Sequence, residues 1–178
     1  MARLIALLRA VNVGGRKLAM AELRSLCGEL GWEEVETYIQ SGNIVFSAAG
    51  GAEALEARLE AAIRERFGLE VPVVVRTSAQ WSAIAAANPF PDVARDEPNR
   101  LQLVVSKRPP DPGAAARLME RARAGEVVKA AGGALWFHFP EGVGNSKLGP
   151  AAIDKAAGSP STSRNWRTVL KLQEMAER

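Results

Sequence analysis

Alternating apolar and polar residues over positions 35–47 predict a β-hairpin. Val35, Thr37 and Ile39 alternate with polar residues, a period of two that places the two sets on opposite faces of a strand. The Ile-Val-Phe run at 44–46 resumes with β-branched and aromatic residues, which suit a packed sheet. Between the strands, Ser-Gly-Asn at 41–43 can adopt positive φ, so we expect a tight primed turn there.

The pattern predicts a β-α-β-β-α-β order for the first 77 residues. Apolar runs indicate strands, and apolar positions spaced three and four apart indicate helices that end at glycine. The predicted elements are a strand at 3–11, a helix at 20–30, the hairpin at 35–47, a helix from 52 to about 67, and a strand at 71–76. This is the order of ferredoxin-like folds, in which helices cover one face of a mostly antiparallel four-stranded sheet.

The same order of elements then begins again. Thr77 and Gln80 form a predicted capping box at the start of a short helix, and the proline- and aspartate-rich segment 88–99 follows as a linker candidate. Later elements are a strand at 101–106, a helix capped by Asp111 with Pro112 at its first position, a hairpin at 126–139, a short helix at 150–156 and a last helix at 162–177.

We therefore interpret the chain as α+β, built from two ferredoxin-like halves that form a pseudo-repeat. The predicted boundaries are 1–77 for the first half, 78–99 for the helix and linker, and 100–178 for the second half with its C-terminal helix.

Composition narrows the classes of function. The single cysteine, Cys27, excludes an intramolecular disulfide, and the single histidine, His138, weighs against metal sites and Ser-His-Asp hydrolases. The formal net charge of +3 lies within residues 145–178, a mild preference for anions that is too small for a DNA-coating surface. With no predicted membrane span or signal peptide, we expect a cytoplasmic protein that holds no metal or cofactor.

Four strings resemble a bacterial family catalogued as domain of unknown function number 1697. They are ALLRAVNVGG at 6–15, TYIQSGNIVF at 37–46, GVGNSKLG at 142–149 and SRNWRTVLKL at 163–172. The resemblance implies a duplicated α+β fold of ferredoxin-like halves, and it brings no activity, substrate or catalytic residue. The sequence departs from the family pattern at Glu141, where asparagine is expected, and this change would weaken a turn-based anion site.

The first candidate for chemistry is the loop after the first strand, with Arg9, Asn12, Gly14 and Gly15 followed by two further cations. Backbone N–H groups of a glycine-containing turn can bind a phosphate or carboxylate when cations flank it. The spacing matches neither the Walker A nor the Rossmann motif, so a plain loop with solvated charges is the competing interpretation.

The second candidate is Ser146 with Lys147. Ser146 could cap the following helix, and a bound anion could offset the unfavourable charge of the lysine near the helix N-terminus.

The third candidate is a basic stripe that could bind phosphate, in which Arg164, Arg167 and Lys171 recur at helical spacing. The competing interpretation is a solvated helix face, with Trp166 as a buried anchor.

The fourth candidate is the hairpin at 35–47 itself. Turn chemistry explains Ser41 and Asn43, whereas Tyr38 and Gln40 could line a site.

Together these stretches favour a domain that binds a small anionic ligand, such as a phosphate or nucleotide. The alternatives are a metal-independent enzyme using Lys147, Arg9 or Tyr38, a nucleic-acid binder using the basic tail, and a structural protein that forms homo-oligomers. An RNA-recognition domain has little support, because the strand at 3–11 lacks the stacking aromatic residues of such domains.

Overall fold

The computed structural model describes every residue from Met1 to Arg178, and the chain divides into two compact units. Unit 1 comprises Met1–Trp81 together with Leu172–Arg178, and unit 2 comprises Ser82–Lys171. None of the helices combines the length and apolar composition needed to cross a membrane.

Unit 1 contains a four-stranded antiparallel sheet. Its elements are β1 (Ala2–Leu8), α1 (Met20–Glu29), β2 (Glu33–Tyr38), β3 (Asn43–Ala48), α2 (Ala52–Phe67) and β4 (Val73–Thr77), and α3 (Ser78–Ala86) follows. The strands are ordered β2-β3-β1-β4, so β2 and β4 are the edge strands.

The core of unit 1 lies between this sheet and helices α1 and α2. Leu55, Leu59 and Ile63 recur every four residues on α2 and are buried, as the period of the apolar residues predicts. Gly68 ends α2 in the left-handed conformation, which glycine adopts without a steric cost. Cys27 is buried on α1, in agreement with its apolar neighbours in the sequence.

Unit 2 contains a second four-stranded antiparallel sheet. Its elements are α4 (Pro91–Asp96), β5 (Leu101–Ser106), α5 (Ala114–Arg121), β6 (Val127–Ala131), β7 (Ala134–His138), α6 (Pro150–Ala157) and β8 (Ser161–Asn165), and α7 (Trp166–Ala176) begins there. The order is β6-β7-β5-β8, which repeats the order of the first sheet when each strand is counted within its own half. The predicted α+β class with two similar halves is therefore confirmed.

The hairpin of β2 and β3 is confirmed, but its turn is wider than predicted. Tyr38 pairs with Asn43, so four residues connect the strands, whereas a tight primed turn has two. Positive φ occurs at Ile39 and Gly42, whereas Asn43 begins β3 as a buried strand residue.

The prediction of a helix beginning at Thr162 is wrong. Residues Ser161–Asn165 form β8, which pairs with β5, and α7 begins only at Trp166. Arg164 is therefore a strand residue, and it cannot form a helical stripe with Arg167. Leu170 of this helix is 45% exposed.

Two further helix boundaries differ from the sequence prediction. The helix assigned to Asp111 as N-cap begins at Ala114, because Gly113 adopts the left-handed conformation just before it. The segment predicted as a linker at 88–99 contains helix α4, and Phe90 in front of that helix is buried. The capping box of α3 is confirmed, since the Thr77 N–H donates to Gln80 Oε1 and the Gln80 N–H donates to Thr77 Oγ1.

Candidate functional site

One end of the sheet in unit 1 gathers six of the candidate residues. At this end β1 and β2 finish while β3 and β4 begin. We define the N-terminal loop cluster as residues 9–18 and 38–43, the segments that meet there. It contains the predicted site residues Arg9, Asn12, Gly14, Gly15, Tyr38 and Gln40.

The side chain of Asn12 joins the two segments of the cluster. Its Nδ2 donates to the carbonyl of Leu18 at 2.9 Å and to the carbonyl of Gln40 at 2.6 Å, and its Oδ1 accepts from the Leu18 N–H at 2.9 Å. Asn12 has a φ of 56°, a left-handed conformation that asparagine tolerates better than most residues. One carboxamide thus closes the loop after β1 and ties it to the hairpin.

Gly42 brings the hairpin directly onto the end of β1. The Leu8 N–H donates to the Gly42 carbonyl at 2.8 Å. A Cβ on Gly42 would lie 2.7 Å from both Leu8 Cβ and Val11 Cγ2, and its φ is 80°. Only glycine satisfies both requirements at this position, so the contact between the segments depends on it.

Gly14 and Gly15 form the tip of a small hairpin inside the cluster. The Arg16 N–H donates to the Val13 carbonyl at 3.1 Å, and the Asn12 N–H donates to the Arg16 carbonyl at 2.6 Å. Both glycines have positive φ, 58° and 82°, as a type I′ turn requires. Because both are exposed, their backbone N–H groups are accessible to a ligand.

Backbone strain is concentrated in the cluster. Four residues other than glycine have positive φ, and three of them, Ala10, Asn12 and Ile39, lie here. A β-branched residue such as Ile39 rarely adopts φ of 52°, and a conformation of this kind costs on the order of 1–3 kcal/mol. Strained backbone of this kind recurs at binding and catalytic sites, which supports a functional role for the cluster.

The charges of the cluster are mainly positive. The backbone N–H of Arg9 donates to the Pro72 carbonyl at 3.0 Å, and Arg16 Nη2 donates to the Glu70 carbonyl, so the segment 9–18 lies beside the start of β4. Lys17 is exposed. Tyr38 lies two strands away on β2, about 10 Å from β1 by the usual strand spacing.

The candidates of unit 2 lie at the opposite end of their sheet. Ser146 and Lys147 follow β7, and Arg167 follows β8, at the end where β5 and β6 begin. In the first half, the loop cluster is at the end where the first strand finishes. The two sets of candidates therefore do not correspond when the halves are compared strand by strand.

Ser146 anchors its loop and does not cap a helix. Helix α6 begins at Pro150 with Gly149 as its N-cap, so the predicted capping role of Ser146 is wrong. The Ser146 hydroxyl donates to Glu126 Oε2 at 3.0 Å and accepts from the Leu148 N–H at 3.1 Å. Lys147 is exposed next to this anchor.

Glu126 is the buried residue that holds this loop, and no motif in the sequence indicates it. Burial raises the pKa of its carboxyl group, but N–H groups of Glu126 itself and of Ala124, with the Ser146 hydroxyl, lower it more, so that the net pKa is below the ordinary value. The carboxylate is thus ionised at neutral pH beside Ser146. Its negative charge disfavours an anion at that position.

Arg164 lies within the sheet of unit 2. Its Nη1 donates at 2.7 Å to Thr162 Oγ1 and to the Ser163 carbonyl, and burial lowers its pKa to about 10. Arg167 is exposed in the first turn of α7, where Asn165 Oδ1 accepts from the Thr168 N–H at 3.1 Å. The two arginines predicted as one phosphate-binding pair therefore have different environments.

No group of three or more His, Cys, Asp or Glu side chains is arranged as a metal site. His138 Nε2 lies 3.3 Å from Glu97 Oε2, and its ring packs at 6.2 Å between centroids against Phe90. The histidine therefore has a structural environment on β7 that needs no ligand to explain it.

Comparisons with known proteins define the class and then the family. The chain has an α+β fold that is similar to the conserved bacterial protein SP0830 from Streptococcus pneumoniae, with a TM-score of 0.72 and 24% identity over 98% of each chain, a likeness that shows the fold. The family described as "Protein of unknown function (DUF1697)" matches residues 1–136, and the chain belongs to this family. No curated protein matches the chain.

The extent of the family match bears on the four strings that carried the resemblance. The strings at 6–15 and 37–46 lie within the matched residues, and both are part of the N-terminal loop cluster or adjoin it. The strings at 142–149 and 163–172 lie outside them.

Proposed function

We propose that the protein binds a small anionic ligand, a phosphate or a phosphate-bearing metabolite, at the N-terminal loop cluster. The observation that carries the proposal is the hydrogen bonding of Asn12, which joins the loop to the hairpin through Leu18 and Gln40. This bonding fixes the exposed Gly14–Gly15 turn and the adjacent cations in one place before a ligand arrives. Preorganised groups of this kind bind with a smaller loss of conformational entropy.

The charges of the cluster suit an oxyanion with several oxygen atoms. Lys17 can donate from an exposed ammonium group, and the turn offers two accessible backbone N–H groups, a combination that recurs in phosphate sites. Two acidic residues adjoin the cluster: Glu22 follows it in the first turn of α1, and Glu70, whose backbone carbonyl accepts from Arg16, lies before β4. The Glu70 carboxylate lies 3.5 Å from Arg64, which offsets part of its charge.

Unit 2 has weaker support as the anion site. The Ser146 hydroxyl already donates to the ionised Glu126 carboxylate, and Arg164 is buried among the strands. Lys147 and Arg167 are the exposed cations there, and an exposed cation by itself is more often solvated than bound to a ligand.

The nucleic-acid alternative also has less support. Domains of the RNA-recognition type stack bases on exposed aromatic residues of the open sheet face. Here the residues on that face of each sheet are buried, among them Ile5, Val45, Leu103 and Trp136. The basic tail offers less than expected, since Arg164 is 8% exposed.

We further propose that the protein acts in the cytoplasm and that its halves arose by duplication of a ferredoxin-like unit. The composition and the buried free cysteine support the first proposal. The shared strand order supports the second, as does a shared detail of the last strands. Arg76 Nη1 donates to the preceding carbonyl of Val75 at 2.9 Å, and Arg164 Nη1 donates to that of Ser163 at 2.7 Å.

A thermal-unfolding titration with inorganic pyrophosphate tests the anion site. At a concentration of 100 Kd, a single site raises the free energy of unfolding by about 2.7 kcal/mol, which appears as a higher Tm. We expect Lys17→Gln to reduce this shift and the matched variant Lys147→Gln, in unit 2, to preserve it. An unchanged Tm for the wild-type protein up to millimolar pyrophosphate would contradict the proposal, and so would a shift that only Lys147→Gln abolishes.

A further inference from the structure

We infer that the anion bound at the N-terminal loop cluster is a nucleoside phosphate whose base lies on Val13 and Ile39, an inference that rests on the proposed function. It names the chemical class of the ligand, which the cations alone leave open. Three observations support it: two exposed apolar side chains, their adjacency to the cations, and a nearby carboxamide.

Two large apolar side chains are exposed within the cluster. Val13 is 57% exposed and Ile39 is 52% exposed, although apolar side chains of this size are usually buried. Val13 follows Asn12, and Ile39 precedes Gln40. The hydrogen bond of 2.6 Å from Asn12 Nδ2 to the Gln40 carbonyl joins the two segments. The bond therefore brings the two apolar side chains to the same end of the sheet.

The apolar residues adjoin the cations of the cluster. Val13 pairs with Arg16 across the small hairpin, and Lys17 is the next residue along the chain. A ligand that uses both features has an anionic group and an apolar surface a short distance apart. Inorganic phosphate has the anionic group alone, whereas a nucleoside phosphate has both.

The exposed carboxamide of Gln40 distinguishes a base from an acyl chain. The bond from Asn12 uses the backbone carbonyl of Gln40 and not its side chain. The exposed carboxamide of Gln40 therefore keeps a donor and an acceptor for a ligand. Glutamine pairs in this way with the N6 and N7 positions of adenine, and an acyl phosphate offers no such edge. Adenine is therefore the base that fits best.

The conformation of Ile39 is consistent with use of its side chain. Its φ of 52° would be relieved by glycine, which adopts this region freely. The chain instead has a large apolar side chain there, in solvent. Contact between that side chain and a ligand gives a reason for a residue that is unfavourable for folding.

Isothermal titration calorimetry with ADP and with pyrophosphate tests the inference on the whole chain. We expect ADP to bind at least about tenfold more tightly than pyrophosphate, the gain from covering two apolar side chains. Val13→Ser and Ile39→Gly should each weaken ADP binding several-fold and leave pyrophosphate binding unchanged. Ile39→Gly should also raise the Tm, which separates lost contact from lost folding. The matched control is Val143→Ser, because Val143 is 50% exposed in unit 2.

The outcomes separate this inference from the proposed function. Equal affinities for ADP and pyrophosphate, or variants that lose both ligands alike, overturn the nucleoside assignment and leave the anion site standing. Failure of both ligands to bind overturns the inference and the proposed function together. Tighter binding of a single-stranded oligonucleotide than of ADP, with a steep dependence on salt, overturns the assignment to a free nucleotide.

Discussion

The carboxylate of Glu56 in α2 accepts a hydrogen bond of 2.9 Å from the backbone N–H of Val75 in β4. Because β4 is an edge strand, this N–H points away from the sheet and has no strand to pair with. Glu60, one turn later, accepts from the Val73 N–H at the same distance. Two helix carboxylates thus occupy donors that an unprotected edge would present to another chain.

The second half protects its edge strand by the same means. Asp154 of α6 accepts from the backbone N–H of Ser161 at 3.0 Å and from its hydroxyl at 2.7 Å. Ser161 begins β8, the edge strand that corresponds to β4. An acidic residue on the second helix of each half therefore binds the last strand of that half.

Replacing Glu56 should be more damaging than replacing Glu60. Glu56 is 4% exposed, so Glu56→Ala leaves the Val75 N–H buried without its acceptor and should lower the free energy of unfolding by about 2–3 kcal/mol. Glu60 is less buried, and water can replace it, so we expect about 1 kcal/mol or less for Glu60→Ala. Urea unfolding followed by circular dichroism measures both. Equal losses for the two variants would show that burial does not set the cost.

Most elements followed from the sequence because their apolar residues repeat with the period of the structure. The α2 stripe and the strand of β5 are examples, since each buries the residues that the pattern selects. Strand β8 is not indicated by the sequence, because Ser161–Asn165 is entirely polar and shows no apolar alternation. It is a strand because it pairs with β5, a contact distant in sequence.

The candidate site was only partly predictable. The sequence indicates that Asn12 lies in a loop with Gly14 and Gly15, but the partners of its carboxamide come from the hairpin, 28 residues later. No sequence motif indicates Glu126, because the groups that stabilise its charge are backbone N–H groups and the hydroxyl of Ser146, which is distant in sequence. Arg164 lies in β8, whereas the sequence predicts a helix there. Tertiary contacts decide all three roles, and local residue patterns do not contain them.

The close approach of the hairpin to β1 should make Gly42 intolerant of substitution. In Gly42→Ala the new Cβ would lie 2.7 Å from Leu8 Cβ and Val11 Cγ2, so we expect a loss of about 3 kcal/mol or more. Gly31→Ala is the matched control, because Gly31 also has a φ of 80° but no atom within 4 Å of an added Cβ. It should cost only about 1 kcal/mol, the left-handed penalty alone. Similar losses for both variants would show that φ, and not the contact, is limiting.

The anchoring role of Glu126 should give the protein a dependence on acid. Since its pKa in the folded protein is below the ordinary 4.5, the carboxylate stabilises the fold fully above that pH, and this contribution is lost as the pH falls through 4.5 towards the lower folded pKa. Glu126→Gln should therefore cost about 1–3 kcal/mol at pH 7 and show a shallower loss of stability on acidification.

Chemical denaturation at pH 7 and at a series of acidic pH values measures both effects of Glu126→Gln. The control is Glu141→Gln, since Glu141 is exposed in the loop that Glu126 anchors, and its replacement should change neither quantity. A parallel decrease in the stability of wild type and Glu126→Gln below pH 4.5 would contradict the role of this carboxylate.

The thiol of Cys27 should be unreactive while the protein is folded. Burial raises its pKa from 9.0 to about 12, which lowers the reactive thiolate fraction about a thousandfold near neutral pH. Alkylation by iodoacetamide at pH 8, followed by mass spectrometry, should be negligible in buffer and rapid in denaturant. Rapid alkylation in buffer would show that α1 opens readily around this residue.

The last prediction concerns the residue that joins the N-terminal loop cluster. Asn12→Asp keeps a residue suited to φ of 56° and keeps the acceptor for the Leu18 N–H, but it replaces the donor to the Leu18 and Gln40 carbonyls by a charged oxygen. We expect the loop and the hairpin end to separate locally, at a cost of about 1–3 kcal/mol. Hydrogen exchange should accelerate in residues 9–18 and 38–43 and stay slow in the strand core around Ile44. If exchange in the two segments is unchanged, the Asn12 carboxamide does not hold them together. If it increases, the carboxamide holds the two segments together, and pyrophosphate binding should weaken as well, because the loop loses its geometry and the new carboxylate repels the anion.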